Sequence, residues 1–569
     1  MGRANARLDS ALSETPDNAS RPEKAVLWMS TAAIAVSLFS HLGAIGFLGP
    51  DEPRYAWIAR AMAESGDWVT PRLYGQPWFE KPVLYYWAAA AGFLAHLPSE
   101  WAARLPSAFA ALAAAMAIGW LGWKHYGTDG AWQGPSLLAP LLFSTSVAAI
   151  GFARAATPDM LFSASISLAM ASAATVLRHG GVLRAAGDSS SAGRRGSAWP
   201  PVLFGAFLGL AVLAKGPAAI LLAGGAMTVW ILATKQWRVP LRLAQPSAIA
   251  AFCIVALPWY IVCARRNPDF LRIFIFQHNF ERYLTPAFHH PQPFWFFGPV
   301  ILVALLPWTV FLWPAAREGI RLWRLKSWND SPGFFFACWA AFPVLFFSFS
   351  QSKLPGYILP AIPPLALLCS AGASRAFGGG RGIGASLCGA LGLTWIALGI
   401  AALYFARWIP WTSYNPDYTP GLVAVWSYVV MGISIAIAAG LAAAGLYHRP
   451  QFAIAICAVC IAVALGGVSL RILPVMDALY SARRHAEFLR ADQRPDRLFT
   501  YHLDRRWNYG LAFYFRRELP EWSPADPDPA LVLTTPQGFQ EIRTLGRFRG
   551  TLDEAYVGIF YVPVPPAPR

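Results

Sequence analysis

Asp51 and Glu52 stand side by side in GPDEPRYA (49–56), directly after the apolar stretch 25–48. More ionisable groups follow at the edges of other apolar segments. Glu80 and Lys81 lie in FEKPVLYYW, Asp159 closes ARAATPD (153–159), and Lys215 sits in AKGP (214–217). Arg266 and Arg282 belong to RRNPDF…QHNFERY (265–283), and Lys353 to SKLPGY (352–357). Arginine offers a planar fork to phosphate oxygens and lysine a point charge, so these cations suit a phosphate monoester or diester. Cations stabilise the charge that develops on a departing phosphate. A carboxylate such as Asp51, Glu80 or Asp159 can act as general base on an incoming hydroxyl. Each residue also has a plainer reading. Asp51 or Glu52 would serve as a helix N-cap, Lys215 and Lys353 as snorkelling anchors, and Arg154 with Asp159 as a structural ion pair. The adjacent His289 and His290 read as solvated loop residues. What favours chemistry is that all these groups fall on one side of the chain's alternating topology.

That topology follows from composition. The 569 residues are 56% hydrophobic and 13% charged, against about 25% charged in soluble domains, so the chain is expected in a bilayer. The 25 Trp fit interfacial belts. A net charge of +16 is scattered over short loops, as positive-inside topology demands, and nucleic acid is not expected as a partner. All seven cysteines lie in apolar segments, and Cys457-x-x-Cys460 reads as packing rather than as a redox or zinc pair.

A span needs roughly 17–25 apolar residues. Candidates fall near 25–47, 104–123, 131–151, 159–177, 200–213, 217–233, 243–263, 294–314, 333–350, 357–373, 383–405, 421–446 and 452–470. Alternate connections carry Arg178, Arg184, Arg194 and Arg195; then Lys235, Arg238 and Arg242; then Arg317, Arg321, Arg324 and Lys326. These loops, with the polar segment 1–24, are expected in the cytoplasm, which puts the acids and the tail outside. The loop 48–103 is expected to hold two interfacial helices, one from Asp51 to Gly66 and one in FEKPVLYYWAAAAGFLAHL. From Arg471 the pattern changes: a helix near 475–492 precedes LFTYH, NYGLAFYFRR, LVLTT, a short helix and AYVGIFYV, a small α/β domain. The chain contains no GxGxxG and no P-loop, so a lipid-phosphate-linked sugar arriving through the bilayer is the expected donor. Transport is disfavoured, because no internal repeat is visible and the ionisable groups gather at one surface.

The stretch DEPRYAWIARAMAESGDWVTPRLYGQPWFEKPVLYYW (51–87) resembles the first outer loop of bacterial polyprenyl-phosphate-dependent glycosyltransferases of the GT-C fold, relatives of the protein O-mannosyltransferases. Within that group the chain is most similar to the aminoarabinose transferases that modify lipid A. AKGP, SKLPGYILP and RRNPDF…HNFERY stand at the later positions this requires. The resemblance implies an α-helical polytopic membrane protein, with a GT-C domain over 25–470, a second long outer loop at 265–293, and an α/β domain over 471–569 outside. It implies transfer of 4-amino-4-deoxy-L-arabinose from undecaprenyl phosphate to lipid A phosphates at the periplasmic face of the inner membrane, giving polymyxin resistance. By motif position, Asp51 matches the essential loop acid, Glu80 its FEKP segment and Asp159 a second outer acid. Lys81, Lys215, Arg266, Arg282, Lys353 and Tyr357, with Arg54 and Tyr55 beside Asp51, match positions expected to bind phosphate or sugar. The implied mechanism is a single inverting displacement without a redox cofactor; a divalent metal stays open. A sister enzyme using another sugar, or a protein hydroxyl as acceptor, is the alternative.

Overall fold

The computed structural model describes residues 21–127, 134–179, 182–183, 198–281, 291–378, 381–406, 420–446, 450–491, 497–548, 555–556 and 559–566. A helix occupies each apolar stretch expected to span. Among the described residues, six are long and apolar enough to cross a membrane alone, and two further pairs are bent, by 62° and 110°. The pairs revise two of the expected spans. Within 131–151, Pro135–Ser144 gives way to Val147–Ala153, because the Ser146 side chain caps the new helix by accepting from Ala149 N. The stretch 294–314 turns by 110° instead of running straight. Pro307 lies at the corner, and the following Leu312–Arg324 helix, LWPAAREGIRLWR, carries its charges on one face, as surface helices do.

The two breaks meet inside the bundle. Val147 N donates to Leu306 O at 3.1 Å, and buried Trp308 Nε1 donates to Thr145 Oγ1 at 2.9 Å. Broken backbone at this depth is tolerable when protein supplies its partners. Elsewhere the helices approach closely over small residues. A Cβ on Gly205 would collide with the Ala248 backbone, so Trp199–Lys215 and Pro246–Arg266 pack almost backbone to backbone.

The loop after the first helix has the expected pair of helices. Asp51–Ser65 starts with two acids, which favour the positive end of the helix dipole. It stops where Gly66, at φ +71°, donates its N–H to Met62 O. Leu84–Leu94 follows a two-stranded ribbon (Arg72–Leu73 with Gln76–Pro77). The tail is an α/β unit with the strand order Leu498–Tyr501, Ala530–Thr534, Ile559–Val564, Ala555–Tyr556; the first pairing is parallel and the others antiparallel. NYGLAFYFRR is a helix here (Arg505–Phe515), capped by the Asp504 side chain. Its buried Trp507 and Leu511 recur at helical spacing.

Candidate active site

Adjacent residues on a helix point about 100° apart, and this separates the two opening carboxylates. Glu52 is buried (6% exposed). It receives Arg104 through both oxygens, at 3.1 and 2.7 Å, and also the N–H groups of Leu48 and Ala156. Asp51, with its side chain 57% exposed, faces a different set of groups.

Asp51 accepts from Arg54 at 2.5 Å, and Arg54 reaches Glu80 at 2.9 Å. Glu80 in turn accepts from Lys81 at 3.0 Å. Lys81 lies close enough to Asp159 to act on it electrostatically, and Asp159 is paired with Lys215. The Lys215 ammonium stands 5.4 Å from the Tyr357 ring centre and 5.5 Å from that of Phe162. The contacting groups Asp51–Arg54–Glu80–Lys81 and the neighbouring pair Asp159–Lys215 thus make one row of three carboxylates and three cations. Gly356 lies close against this end of the row: a Cβ there would sit 2.8 Å from the Phe152 ring and 3.8 Å from Asp159 Oδ1.

The row is walled by aromatic rings. The Arg54 guanidinium lies 5.3 Å from Tyr55, 5.5 Å from Trp78 and 5.6 Å from Tyr509 of the tail. Burial opposes its charge, but Glu80, Tyr55 and Asp51 outweigh that penalty and raise its pKa above the ordinary value. Burial, with Glu80 next in effect, lifts the Tyr55 and Tyr86 phenols above theirs, so both remain O–H donors. Buried Tyr86 Oη, Arg54 Nε and Trp78 Nε1 have no hydrogen-bond partner among the described residues. Lys215 donates to the Asp159 carboxylate, and Lys81 donates to the Glu80 carboxylate and, at 3.5 Å, to the Glu80 backbone carbonyl.

Not every expected residue joins the row. Arg266 is exposed and pairs with Asp67 at 3.3 Å. Buried Lys353 donates to two backbone carbonyls, Ser350 O at 2.6 Å and Gln292 O at 2.9 Å, so it shapes the turn before Tyr357. Tyr55 is packed against Tyr85 and Tyr86. Arg154 does not pair with Asp159; it bonds weakly to Ser37 O, Ser40, His41 O and Ser469. Arg282, His289 and His290 lie outside the described residues. Buried Cys457 accepts from Trp395 Nε1 at 2.8 Å, as a packing cysteine would. No group of three or more His, Cys, Asp or Glu able to hold a metal occurs among the described residues. Sequence reasoning passed over Tyr86, Trp78 and Tyr509. The first two lie inside the aromatic loop-1 motif, whereas nothing in the tail marks Tyr509.

Residues 46–274 match the dolichyl-phosphate-mannose-protein mannosyltransferase family. The fold matches that of ArnT from Cupriavidus metallidurans solved with undecaprenyl phosphate: TM-score 0.72, 23% identity, 94% of this chain and 97% of that one. A helical bundle of this fold with a row of ion pairs at one end defines a GT-C membrane glycosyltransferase. Among curated relatives, the undecaprenyl phosphate-alpha-4-amino-4-deoxy-L-arabinose arabinosyl transferase of Edwardsiella ictaluri is 30% identical over 71% of this chain and 69% of its own length. That of Erwinia tasmaniensis is 32% identical over 56% of this chain and 54% of its own length. The chain belongs to the undecaprenyl phosphate-aminoarabinose arabinosyl transferase family.

Proposed function

We propose that this chain moves 4-amino-4-deoxy-L-arabinose from undecaprenyl phosphate to a phosphate of lipid A, and so confers resistance to polymyxin and other cationic peptides. The observation that carries this reading is the row Asp51–Arg54–Glu80–Lys81–Asp159–Lys215. Lys81 and Lys215 receive the donor phosphate. An oxygen of the acceptor phosphate attacks the anomeric carbon while the bond from that carbon to the donor oxygen breaks, with inversion. The electron pair leaves on undecaprenyl phosphate, where the two ammonium groups stabilise it. An acceptor phosphate is already anionic near pH 7, so Asp51 orients it more than it deprotonates it. Glu80 and Asp159 hold the lysines in place.

On this reading the membrane is the bacterial inner membrane. Segment 1–24 is cytoplasmic, and residues 25–470 form the transmembrane domain with outer loops at 48–103 and 265–293. The site and the domain 471–569 face the periplasm. A tag at Arg569 is then reachable from the periplasm, and cytoplasmic accessibility would invert the topology. Function is tested in a polymyxin-sensitive host that makes the lipid-linked aminosugar but lacks its own transferase. Mass spectrometry should find aminopentose on lipid A with the wild-type chain and none with Asp51→Asn. Unmodified lipid A with both proteins inserted would send the reading to another sugar or acceptor. Retained transfer by Asp51→Asn would remove Asp51 from the reaction.

A further inference from the structure

The nearest oxygens of Asp51 and Glu80 both approach one nitrogen of Arg54, Nη2, at 2.5 and 2.9 Å. Contacts gathered at a single nitrogen restrain the guanidinium plane less than a fork across two would. Buried Arg54 Nε has no hydrogen-bond partner among the described residues that would add a second point. What bounds the group is three rings, with centres 5.3 Å (Tyr55), 5.5 Å (Trp78) and 5.6 Å (Tyr509) from its central carbon. Tyr55 and Trp78 belong to the loop that carries Arg54 itself. Tyr509 comes from the tail.

The tail helix Arg505–Phe515 brings Tyr509 there by its own register. Trp507 and Leu511, four apart, are buried in the tail's core. Tyr509 and Phe513, also four apart, share another face. Each sets its ring over a guanidinium of the Asp51–Ser65 helix: Tyr509 over Arg54 at 5.6 Å, Phe513 over Arg60 at 4.1 Å. Because Phe513 O also accepts from Arg60 at 3.1 Å, the second contact docks the helix without help from Tyr509. The Tyr509 hydroxyl is engaged within the tail, accepting from Arg505 at 3.4 Å. The ring, rather than the hydroxyl, is what meets Arg54.

We propose that Tyr509 is a positioning residue for the transfer: its ring holds the Arg54 guanidinium against Asp51, and that pair sets where the acceptor phosphate is received. The inference rests on the role given above to Asp51. Among the described residues Arg54 is the one cation paired with Asp51, whereas Glu80 keeps Lys81 at 3.0 Å without Arg54. Loss of the ring therefore loosens the acceptor end of the row and leaves Lys81 and Lys215, at the donor end, in place.

The test is steady-state transfer by the full chain in detergent, with the undecaprenyl-phosphate-linked aminosugar as donor and lipid A as acceptor, beside isothermal titration of undecaprenyl phosphate. Tyr509→Ala should lower kcat/KM for the acceptor about tenfold, the worth of a partly desolvated cation–π contact, and change undecaprenyl phosphate affinity less than about twofold. Tyr509→Phe, which keeps the ring, should restore transfer. Tyr509→Leu, which keeps bulk but no ring, replaces Tyr509→Ala if SDS denaturation in mixed micelles shows that the alanine variant has lost stability. Wild-type kcat/KM in the folded variant, an equal fall in Tyr509→Phe, or a matching fall in donor affinity overturns the proposal. A wild-type chain inactive on lipid A refutes the role of Asp51 and this inference together, so the two failures are told apart.

Discussion

Glu52→Gln isolates what the buried carboxylate does. The glutamate accepts four hydrogen bonds: Leu48 N at 2.7 Å and Arg104 Nη2 at 2.7 Å on one oxygen, Arg104 Nε at 3.1 Å and Ala156 N at 2.6 Å on the other. The amide keeps the shape but turns one acceptor into a donor, so its NH2 faces two N–H groups whichever way it flips. It also leaves the Arg104 side chain, 2% exposed, without the carboxylate it pairs with. Breaking a buried pair in this way costs about 3–5 kcal/mol. Asp51→Asn one residue earlier touches an exposed acid whose partner Arg54 retains Glu80, and such pairs are worth about 0–1 kcal/mol. Denaturation in mixed micelles by graded SDS, read by tryptophan fluorescence, should therefore show a large loss for Glu52→Gln and almost none for Asp51→Asn. In the double variant Glu52→Gln/Arg104→Gln the losses should fall short of additivity by about 2 kcal/mol or more. Glu52→Gln within about 1 kcal/mol of wild type, or additive losses, would refute the reasoning.

Lys81→Ala removes one cation from the proposed phosphate seat. Undecaprenyl phosphate affinity, measured by isothermal titration in detergent, should fall about 10- to 100-fold, and unchanged affinity would take Lys81 out of donor binding. Tyr86→Phe deletes a buried hydroxyl without a partner, so stability should hold or rise slightly; kcat/KM should still drop roughly tenfold if the phenol meets the substrate, and an unaltered kcat/KM would make it a packing residue. Gly356→Ala forces a methyl against Phe152, one residue before the Tyr357 ring that faces Lys215. A loss of about 1–3 kcal/mol in the same SDS titration, with reduced transfer, is expected, and wild-type values for both would show that the ring yields freely.

The helices and the family resemblance were legible because apolar length, proline and capping residues act locally. Asp51 to Gly66 could be delimited from acids at one end and glycine at the other. The 110° turn at Pro307 was not, because LWPAAREGIRLWR continues an apolar run and shows its one-sided charge only once wound as a helix. NYGLAFYFRR looks like a strand by its aromatics, and the Asp504 cap decides otherwise. At the site, residue types pointed to the charged row but not to its pairings. Arg154 stands five residues from Asp159, yet the partner is Lys215, because the two helices bring their ends together across 56 residues. Lys353 sits in a motif beside Tyr357, yet its ammonium is taken by carbonyls. Pairings of this kind depend on which helix ends meet, and no local pattern records that.

The position of Asp51 itself depends on both parts of the chain. Between the first helix and the Asp51–Ser65 helix, residues 42–46 turn with little backbone pairing of their own, at the edge of a bundle where unmet carbonyls are costly. Five consecutive carbonyls there are received by two guanidiniums. Arg104, from the bundle, donates to Leu42 O and Ile45 O at 2.7 Å and to Gly46 O at 2.8 Å. Arg483, from the tail, donates to Gly43 O at 3.0 Å and Ala44 O at 3.3 Å. Fully buried Asp477 accepts from Gly46 N at 2.6 Å and holds Arg483 in place. Arg60 within the Asp51–Ser65 helix donates to Phe513 O of the tail at 3.1 Å; burial brings its pKa down to about 10. The tail therefore fixes the turn that aims Asp51, and through Tyr509 it walls Arg54 as well. A chain ending before residue 471 would keep the row's residues but lose half of the scaffold that sets where its first acid points.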